Sequence, residues 1–175
     1  MTDERIINSK TLYEGSVFDL RLDTVELDGH TYQREIVVHP GAVAMLPFDA
    51  DGRLILVEQY RAGSNQKMLE LPAGGLTPGE DWEAAARREL QEEIGMIPDT
   101  LEVLGDMWVA GSYSTEMIKL FIARGLKPSK LTGDMDERIK VIPMPFEKAL
   151  EMAHRNEITD SKTLIGLMWA EHRRK

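Results

Sequence analysis

The sequence contains no cysteine among its 175 residues. This excludes disulfide bonds, a thiolate nucleophile and zinc sites with cysteine ligands, and it fits a reducing cytoplasm, the compartment we expect. Long apolar runs are also absent, since none approaches the ~20 residues that a membrane-spanning helix needs. The N-terminal residues MTDERIINSK are charged and lack the apolar segment of a secretory signal. We therefore expect no export and no membrane partner.

Positive charge is scarce. The chain has 21 Lys and Arg against 30 Asp and Glu, which gives a formal net charge of −9. This balance argues against nucleic-acid binding by counterion release, because such binding needs basic patches. It does not exclude small phosphate-bearing substrates, because bound cations can reverse the sign of the local charge.

The N-terminal part has the pattern of β-structure over residues 8–39. Apolar and polar residues alternate in the stretches VFDLRLDTVEL and HTYQREIVV, and Asp28-Gly29 between them is a two-residue hairpin signal. The chain length suits one domain with a small extension. We therefore divide the chain into an N-terminal β-strand region, residues 1–40, and a main domain, residues 41–175.

The main domain mixes strands with a few helices. Continuously apolar strands, covered on both faces, are predicted for GAVAMLPF and RLILVEQYR, and further strands for LEVLGDMWVA and TEMIKLFIAR. Residues 125–138 form a polar loop, and the prolines of IKVIPMPF place that strand at an edge or an end. Helices are predicted for FEKALEMAHRN and for residues 161–173, the latter begun by Thr159 or Asp160. The fold class is α+β with mixed or antiparallel sheets.

Another helix is predicted within residues 74–96, which are rich in glutamate. The run from Thr77 to Glu80, or Asp81, can cap its start, and Gly95 can end it in a left-handed conformation. An apolar stripe recurs every four residues at Ala86, Leu90 and Ile94.

Carboxylates gather beside this stripe. Glu89 and Glu93 lie four residues apart on one face, Glu92 lies on its flank, and Arg88 can pair with Glu92. Carboxylates on adjacent turns repel one another unless a cation lies between them, and oxygen ligands suit Mg²⁺ or Mn²⁺. The alternative is a solvated, Glu-rich helix surface with no ligand.

The spacing decides between these alternatives. Five residues separate Gly74 from Glu80, and seven more precede Arg88. The segment resembles the signature of the Nudix hydrolases at every fixed position, which here are Gly74, Glu80, Arg88, Glu89, Leu90, Glu92, Glu93, Gly95 and Met96.

The resemblance implies the Nudix fold, an α/β/α sandwich around a mixed sheet, here with a small N-terminal antiparallel β extension. In that family the signature forms a loop–helix–loop that binds divalent metals, and water cleaves a P–O–P bond in a nucleoside diphosphate linked to another group. By position, Glu89 and Glu93 are the main metal ligands and Glu92 is a third ligand or a water-mediated contact. Arg88 orients the glutamates and Glu80 braces the loop.

Upstream residues resemble one branch, the ADP-ribose and nucleoside diphosphate sugar pyrophosphatases. The stretches are EQYR at 58–61 and LELPAGG at 69–75. The resemblance makes Arg61 a contact of the substrate diphosphate, Glu70 a neighbour of the metal site and the Ala73 carbonyl a metal ligand. The alternatives are a surface arginine for Arg61 and a solvent-facing strand residue for Glu70.

Downstream residues resemble the same branch. The stretch GDMDERIKV at 133–141 matches an acidic loop that supplies a further glutamate as metal ligand or catalytic base. Glu137 is our candidate, with Asp136 and Asp134 behind it, and the alternative is a solvated acidic loop. The stretch NEITDSKTLIGLMWA contains a D-x-K-T run, which in this branch leads into the last helix.

One loop departs from the branch. Members usually have a Ser-Pro-Gly-Phe-like run ending in an acidic residue, whereas this chain has WVAGSYSTE at 108–116. Gly111 and the candidate substrate contact Glu116 can be matched, but Ala110 replaces the proline and the spacing is longer by one residue. Because this loop shapes the pocket for the distal sugar, ADP-ribose is the first expected substrate and others such as GDP-mannose follow closely.

The N-terminal strands also have a role by resemblance. In this branch they form a small domain that is exchanged across a homodimer and helps to hold the base. The candidates for base contacts are Phe18, Tyr32, Arg34 and Glu35, and the alternative for each is an ordinary strand residue.

Two other functions remain open at this point. A Nudix-fold binding module without catalysis would be expected to lose signature glutamates, and this chain keeps them all. A Nudix hydrolase acting on dinucleoside polyphosphates, capped RNA or oxidised nucleotides is disfavoured by the N-terminal extension, by EQYR and by the acidic loop.

Overall fold

The computed structural model describes residues 3–133 and 138–174. The chain falls into two compact units, one of Met1–Gly41 with Met107–Met117, the other of Ala42–Asp106 with Ile118–Lys175. The expected division at residue 40 did not include residues 107–117, which group with the N-terminal strands. In the described part of the chain, no helix has the length and apolar character needed to cross a membrane.

The first unit contains an antiparallel sheet of three strands in chain order, β1 (Arg5–Tyr13), β2 (Asp19–Leu27) and β3 (His30–Val38). Asp28 and Gly29 join β2 to β3 with φ of 50° and 79°, as a two-residue hairpin turn requires. The predicted hairpin is confirmed. The β-structure begins at Arg5, three residues before the predicted start, and every residue of β1 is exposed.

The described residues of the second unit form three further sheets. One sheet has the order β7-β4-β10-β9, another β12-β5-β6, and β8 pairs with β11. The strands are β4 (Ala42–Pro47), β5 (Leu54–Arg61), β6 (Gln66–Glu70), β7 (Ala73–Gly75), β8 (Met96–Ile97), β9 (Thr100–Trp108), β10 (Met117–Arg124), β11 (Lys127–Pro128) and β12 (Lys140–Met144). Strand β12 lies at a sheet edge, as its prolines predict.

The helices in the described part of this unit are α1 (Trp82–Glu93), α2 (Phe146–His154) and α3 (Ser161–Arg174). Asp81 caps α1 by accepting from the N–H groups of Glu83 and Ala84, and Gly95 follows the helix with φ of 69°. Asp160 accepts from the N–H of Thr163 at the start of α3. Both predicted caps are therefore present.

The central sheet of this unit is mixed and covered on both faces. β4 and β10 are parallel, whereas β4 and β7 are antiparallel. Val43 and Met45 of β4 are buried with Ala86 and Leu90 of α1. On the opposite face, a Cβ on Gly166 of α3 would lie within 3.1 Å of side-chain atoms of Leu46, Leu120 and Leu71. This arrangement of helix, mixed sheet and helix is the α+β sandwich that the sequence predicts.

Candidate active site

The glutamates of α1 lie on the face that meets strand β7. Glu89 and Glu93 are 8% and 7% exposed, which is unusual for ionisable side chains, whereas Glu92 is half-buried. They reach this depth because Ala85, Ala86 and Leu90 of the same helix anchor it in the core. The helix therefore presents its carboxylates from a rigid platform.

Arg88 connects three of the glutamates. Its Nη1 donates to Glu89 at 2.6 Å and to Glu92 at 2.9 Å. Its Nε and Nη2 each lie 2.9 Å from an oxygen of Glu80, and Nη2 also donates to the Gly75 carbonyl. One guanidinium thus fixes the glutamate side chains and the loop before α1 relative to one another.

Glu80 also binds Thr77, within the loop that precedes α1. Its Oε2 accepts from the backbone N–H and the hydroxyl of Thr77 at 3.0 Å each. Hydrogen bonding to Arg88 is the main reason that the pKa of Glu80 is lowered to about 2, and the bonds from Thr77 add to this effect. The same interaction with Glu80 raises the pKa of Arg88.

Residues 73–75 form the other wall of the site. The Ala73 N–H donates to Glu93 Oε2 at 3.1 Å. Gly74 lies so close to Glu89 that a Cβ at this position would be 2.0 Å from the Glu89 Cδ. The strand therefore touches two of the glutamates through backbone atoms, and any side chain at position 74 would have to displace the end of the Glu89 side chain.

The donors in this region suit a hard divalent cation. They are all oxygens, and Arg88 brings one positive charge against the three carboxylates that it contacts. Among residues 3–133 and 138–174, no three acidic, His or Cys side chains are already arranged to hold a metal ion.

Arg61, the last residue of β5, and Glu70, the last residue of β6, form a second charged group. The Nε and Nη2 of Arg61 donate to the two carboxylate oxygens of Glu70, each at 2.8 Å. Hydrogen bonding to Glu70 raises the pKa of Arg61, and the negative charges of Glu93 and Asp160 add to this effect. The site thus combines a forked arginine with the carboxylates of α1.

A cavity of about 370 Å³ lies at the C-terminal end of α1. It is lined by Glu92, Glu93, Ile94, Gly95, Lys130, Gly133, Ile139 and Val141. The predicted base Glu137 and its alternatives Asp134 and Asp136 lie outside the described residues. Gly133 before them and Ile139 after them line this cavity together with Glu92 and Glu93.

The other candidate substrate contacts lie in the first unit. Arg34 forms an ion pair with Glu4, and its Cζ lies 5.6 Å from the centre of the Tyr32 ring. It also lines a cavity of about 330 Å³. Phe18 is 42% exposed and Glu35 is also exposed. Glu116 is half-buried beside Ser114, whose hydroxyl accepts from its N–H. Of these five candidates, Arg34 alone lines that cavity.

Lys162 is a charged residue of the site region to which the sequence assigned no role. It is buried and contacts the Glu70 carboxylate. The D-x-K-T run was the available signal, but its partner is 92 residues away in the chain. No local periodicity reveals such a contact.

Comparisons with known proteins identify a matching family model and several similar proteins. A family model described as the NUDIX domain matches residues 38–164. The chain is 37% identical over 172 residues to a methanol dehydrogenase activator of Bacillus methanolicus, covering 97% of this chain and 93% of that protein. It is 34% identical over 172 residues to an ADP-ribose pyrophosphatase of Bacillus subtilis, with the same coverage. A crystal structure of an ADP compounds hydrolase superposes with a TM-score of 0.87 at 25% identity, covering 98% of this chain and 94% of the other.

Proposed function

The chain belongs to the Nudix family of hydrolases, and we propose that it hydrolyses the diphosphate bond of ADP-ribose or a related nucleoside diphosphate sugar. The products are a nucleoside monophosphate and a sugar phosphate. Nudix hydrolases generally require a divalent metal ion, and Mg²⁺ or Mn²⁺ suits the donors here. One observation carries the proposal. Arg88 donates hydrogen bonds to Glu80, Glu89 and Glu92, and the Ala73 N–H beside them donates to Glu93.

In this proposal Glu89, Glu92, Glu93 and the Ala73 carbonyl hold the cation. When bound, a divalent cation neutralises phosphate charge and lowers the pKa of a coordinated water. Arg88 keeps the glutamate side chains in place before the cation arrives. It also prevents the mutual repulsion of the carboxylates from opening the loop.

Arg61 binds the diphosphate. Its side chain is 37% exposed, and Glu70 holds the guanidinium on one edge, which leaves its other edge directed away from that carboxylate. Arginine suits this task because its planar fork matches phosphate oxygens and keeps its charge at every relevant pH. Glu70 acts by orienting Arg61 beside the metal site.

Glu137 is the proposed catalytic base. Gly133 and Ile139, which lie before and after this loop segment in the chain, line the cavity that Glu92 and Glu93 also line. A carboxylate carried by a loop can approach the attacking water once substrate is present, whereas the glutamates of α1 are fixed by the helix. Asp136 and Asp134 are the alternatives in the same loop.

The first unit is proposed to bind the base and to form a homodimer. Arg34 and Phe18 offer planar surfaces for a purine, Glu35 offers an acceptor for an exocyclic amine, and Glu116 contacts the distal part of the substrate. Strand β1 is an edge strand that exposes Ile6, Ile7, Leu12 and Tyr13. Unpaired strand edges with apolar side chains favour association with a second copy. Sedimentation velocity would measure the oligomeric state.

The similarity to a methanol dehydrogenase activator favours a second candidate function. In this alternative the chain increases the activity of an alcohol dehydrogenase. Assays of a purified methanol dehydrogenase with and without this protein test it directly. Stimulation that persists in a variant without hydrolase activity would separate this role from hydrolysis.

A substrate panel tests the proposed function. The purified protein is incubated with ADP-ribose, ADP-glucose, GDP-mannose, NADH or diadenosine polyphosphates, each with Mg²⁺, with Mn²⁺ or with a chelator. The proposal predicts metal-dependent release of a nucleoside monophosphate, fastest from ADP-ribose. Fastest cleavage of diadenosine polyphosphates would assign the chain to another Nudix class, and no cleavage of any compound would favour a binding module. The cytoplasmic location that we propose is tested separately by cell fractionation.

A further inference from the structure

Lys162 lies in the first turn of α3 and is 9% exposed. A charged amine at this depth destabilises the fold unless it is paired. Its Nζ lies 2.5 Å from Glu70 Oε2 and 2.9 Å from Asp160 Oδ1. The ammonium group is therefore held between two carboxylates that come from distant parts of the chain.

Glu70 is the member of this cluster that also belongs to the active site. It is 1% exposed, and its Oε2 accepts from both Lys162 Nζ and Arg61 Nη2, while its Oε1 accepts from Arg61 Nε. Three charge-assisted hydrogen bonds from two sides fix the plane of the carboxylate. Arg61 donates to both oxygens of this carboxylate through Nε and Nη2. The plane of the Glu70 carboxylate therefore sets the plane of the Arg61 guanidinium.

The backbone next to Glu70 is fixed by the same helix. Thr163 Oγ1 accepts from the Leu71 N–H at 2.8 Å and donates to Asp160 Oδ2 at 2.5 Å. Asp160 also caps α3 through the Thr163 N–H. The first turn of α3 thus holds both the Glu70 carboxylate and the chain directly after it.

Arg61 keeps one donor group for a ligand. Nε and Nη2 are engaged by Glu70, and among the described residues no hydrogen bond is made by Nη1. A guanidinium that is locked on one edge and open on the other loses little conformational freedom when it binds an oxyanion.

We propose that Lys162 is a positioning residue of the diphosphate site: it holds Glu70, and through Glu70 it fixes the Arg61 guanidinium in its binding orientation. This inference rests on the proposed function, in which Arg61 contacts the substrate diphosphate. Lys162 itself does not touch the substrate.

Charge gives a second reason for a lysine at this place. Lys162 and Arg61 balance the negative charges of Glu70 and Asp160. Replacing Lys162 by an apolar residue leaves one excess negative charge beside Arg61, close to the carboxylates of α1. That charge competes with the diphosphate for Arg61 and repels an anionic substrate.

The test is a double-mutant cycle on ligand affinity. The Kd of ADP-ribose is measured by calorimetry in the presence of a metal chelator, so that no hydrolysis takes place. The proteins are the full-length wild type, Lys162→Met, Arg61→Ala and the double variant. Lys162→Gln, which keeps a hydrogen-bond donor, replaces Lys162→Met if the latter does not fold. Lys119→Met is the matched control, because Lys119 is also a partly buried lysine paired with a carboxylate, Asp106.

Lys162→Met is expected to raise Kd about tenfold in the wild-type background and less than about twofold in the Arg61→Ala background. Lys119→Met is expected to leave Kd unchanged. Equal effects of Lys162→Met in both backgrounds, or no effect in the wild type, would overturn the positioning role. If Arg61→Ala loses affinity for ADP-ribose and Lys162→Met does not, Arg61 remains a contact of the diphosphate but the positioning role of Lys162 is overturned. If the wild type does not bind ADP-ribose without metal, this inference is overturned, whereas the proposed function is decided separately by the substrate panel with metal.

Discussion

A Cβ atom placed on Gly74 would lie 2.0 Å from Cδ of Glu89 and 2.1 Å from its Oε1. The backbone of the signature loop and the carboxylate of the signature helix are therefore in direct contact. Gly74 does not adopt a positive φ, so the requirement for glycine at this position is the space that Glu89 occupies. The first glycine of the signature thus sets where a proposed metal ligand can lie.

Gly74→Ala is expected to retain the fold but to lose at least about tenfold in kcat/KM, because the end of the Glu89 side chain must move away. Steady-state kinetics with ADP-ribose and thermal unfolding measure the two effects. Gly63→Ala is the matched control, since a Cβ there meets no atom within 4 Å. Equal kcat/KM for the two variants would contradict this account of Gly74.

The lowered pKa of Glu80 predicts that the stability of the fold depends on pH. Its pKa is lowered from 4.5 to about 2 in the folded protein, chiefly by Arg88, so the ionised carboxylate stabilises the folded state above pH 4.5. This contribution decreases as the pH falls from about 4.5 towards 2. Wild type should exceed Glu80→Gln by about 2–3 kcal/mol in free energy of unfolding at pH 7.

Urea unfolding of both proteins from pH 7 to pH 3 checks this prediction. The difference between them should be constant from pH 7 to about pH 5 and should then shrink. A difference that is as large at pH 3 as at pH 7 would show that the charge of Glu80 is not responsible.

Arg61→Ala should raise KM for ADP-ribose and lower kcat, because negative charge on the phosphates grows towards the transition state. Arg53→Ala serves as the control, since Arg53 is a surface arginine paired with Asp49 and Asp51. A change in melting temperature without a change in either kinetic constant would make Arg61 a structural residue only.

Local features of the fold could be predicted from the sequence. The Asp28-Gly29 turn, the Asp81 cap and the end of α1 at Gly95 depend on neighbouring residues and have strong composition signals. The short strands β6 and β7 were not predicted. Their residues carry no clear alternation, and they are strands because β5 and β4 pair with them.

Side-chain partners across the fold were not predictable in the same way. The pairing of Arg88 with Glu92 follows from helical spacing, but the contact of Lys162 with Glu70 spans 92 residues. The branch resemblance marked Glu70 as a neighbour of the metal site without identifying its partners. The structure supplies those partners, Arg61 and Lys162, which the spacing of residues in the sequence does not show.

Substitution of a glutamate in α1 should affect metal binding, whereas substitution of the loop carboxylate Glu137 should affect turnover. Glu89→Gln should weaken metal binding in the free enzyme, because Glu89 is fixed on the helix. Glu137→Gln should bind Mg²⁺ and a non-hydrolysable ADP-ribose analogue nearly normally but turn over much more slowly. Calorimetric titrations and turnover measurements of both variants test this. Wild-type turnover of Glu137→Gln would pass the base role to Asp136, Asp134 or a signature glutamate.

The central claim is that the carboxylates of α1 hold a metal ion that hydrolysis requires. Glu93→Gln tests it most directly, because it keeps the size of the side chain and removes the charge next to the Ala73 N–H. Turnover of ADP-ribose should yield AMP and ribose 5-phosphate in equal amounts, only with a divalent metal, and should fall by about 10²-fold or more in Glu93→Gln. Near-normal turnover of Glu93→Gln with unchanged metal dependence would contradict the account.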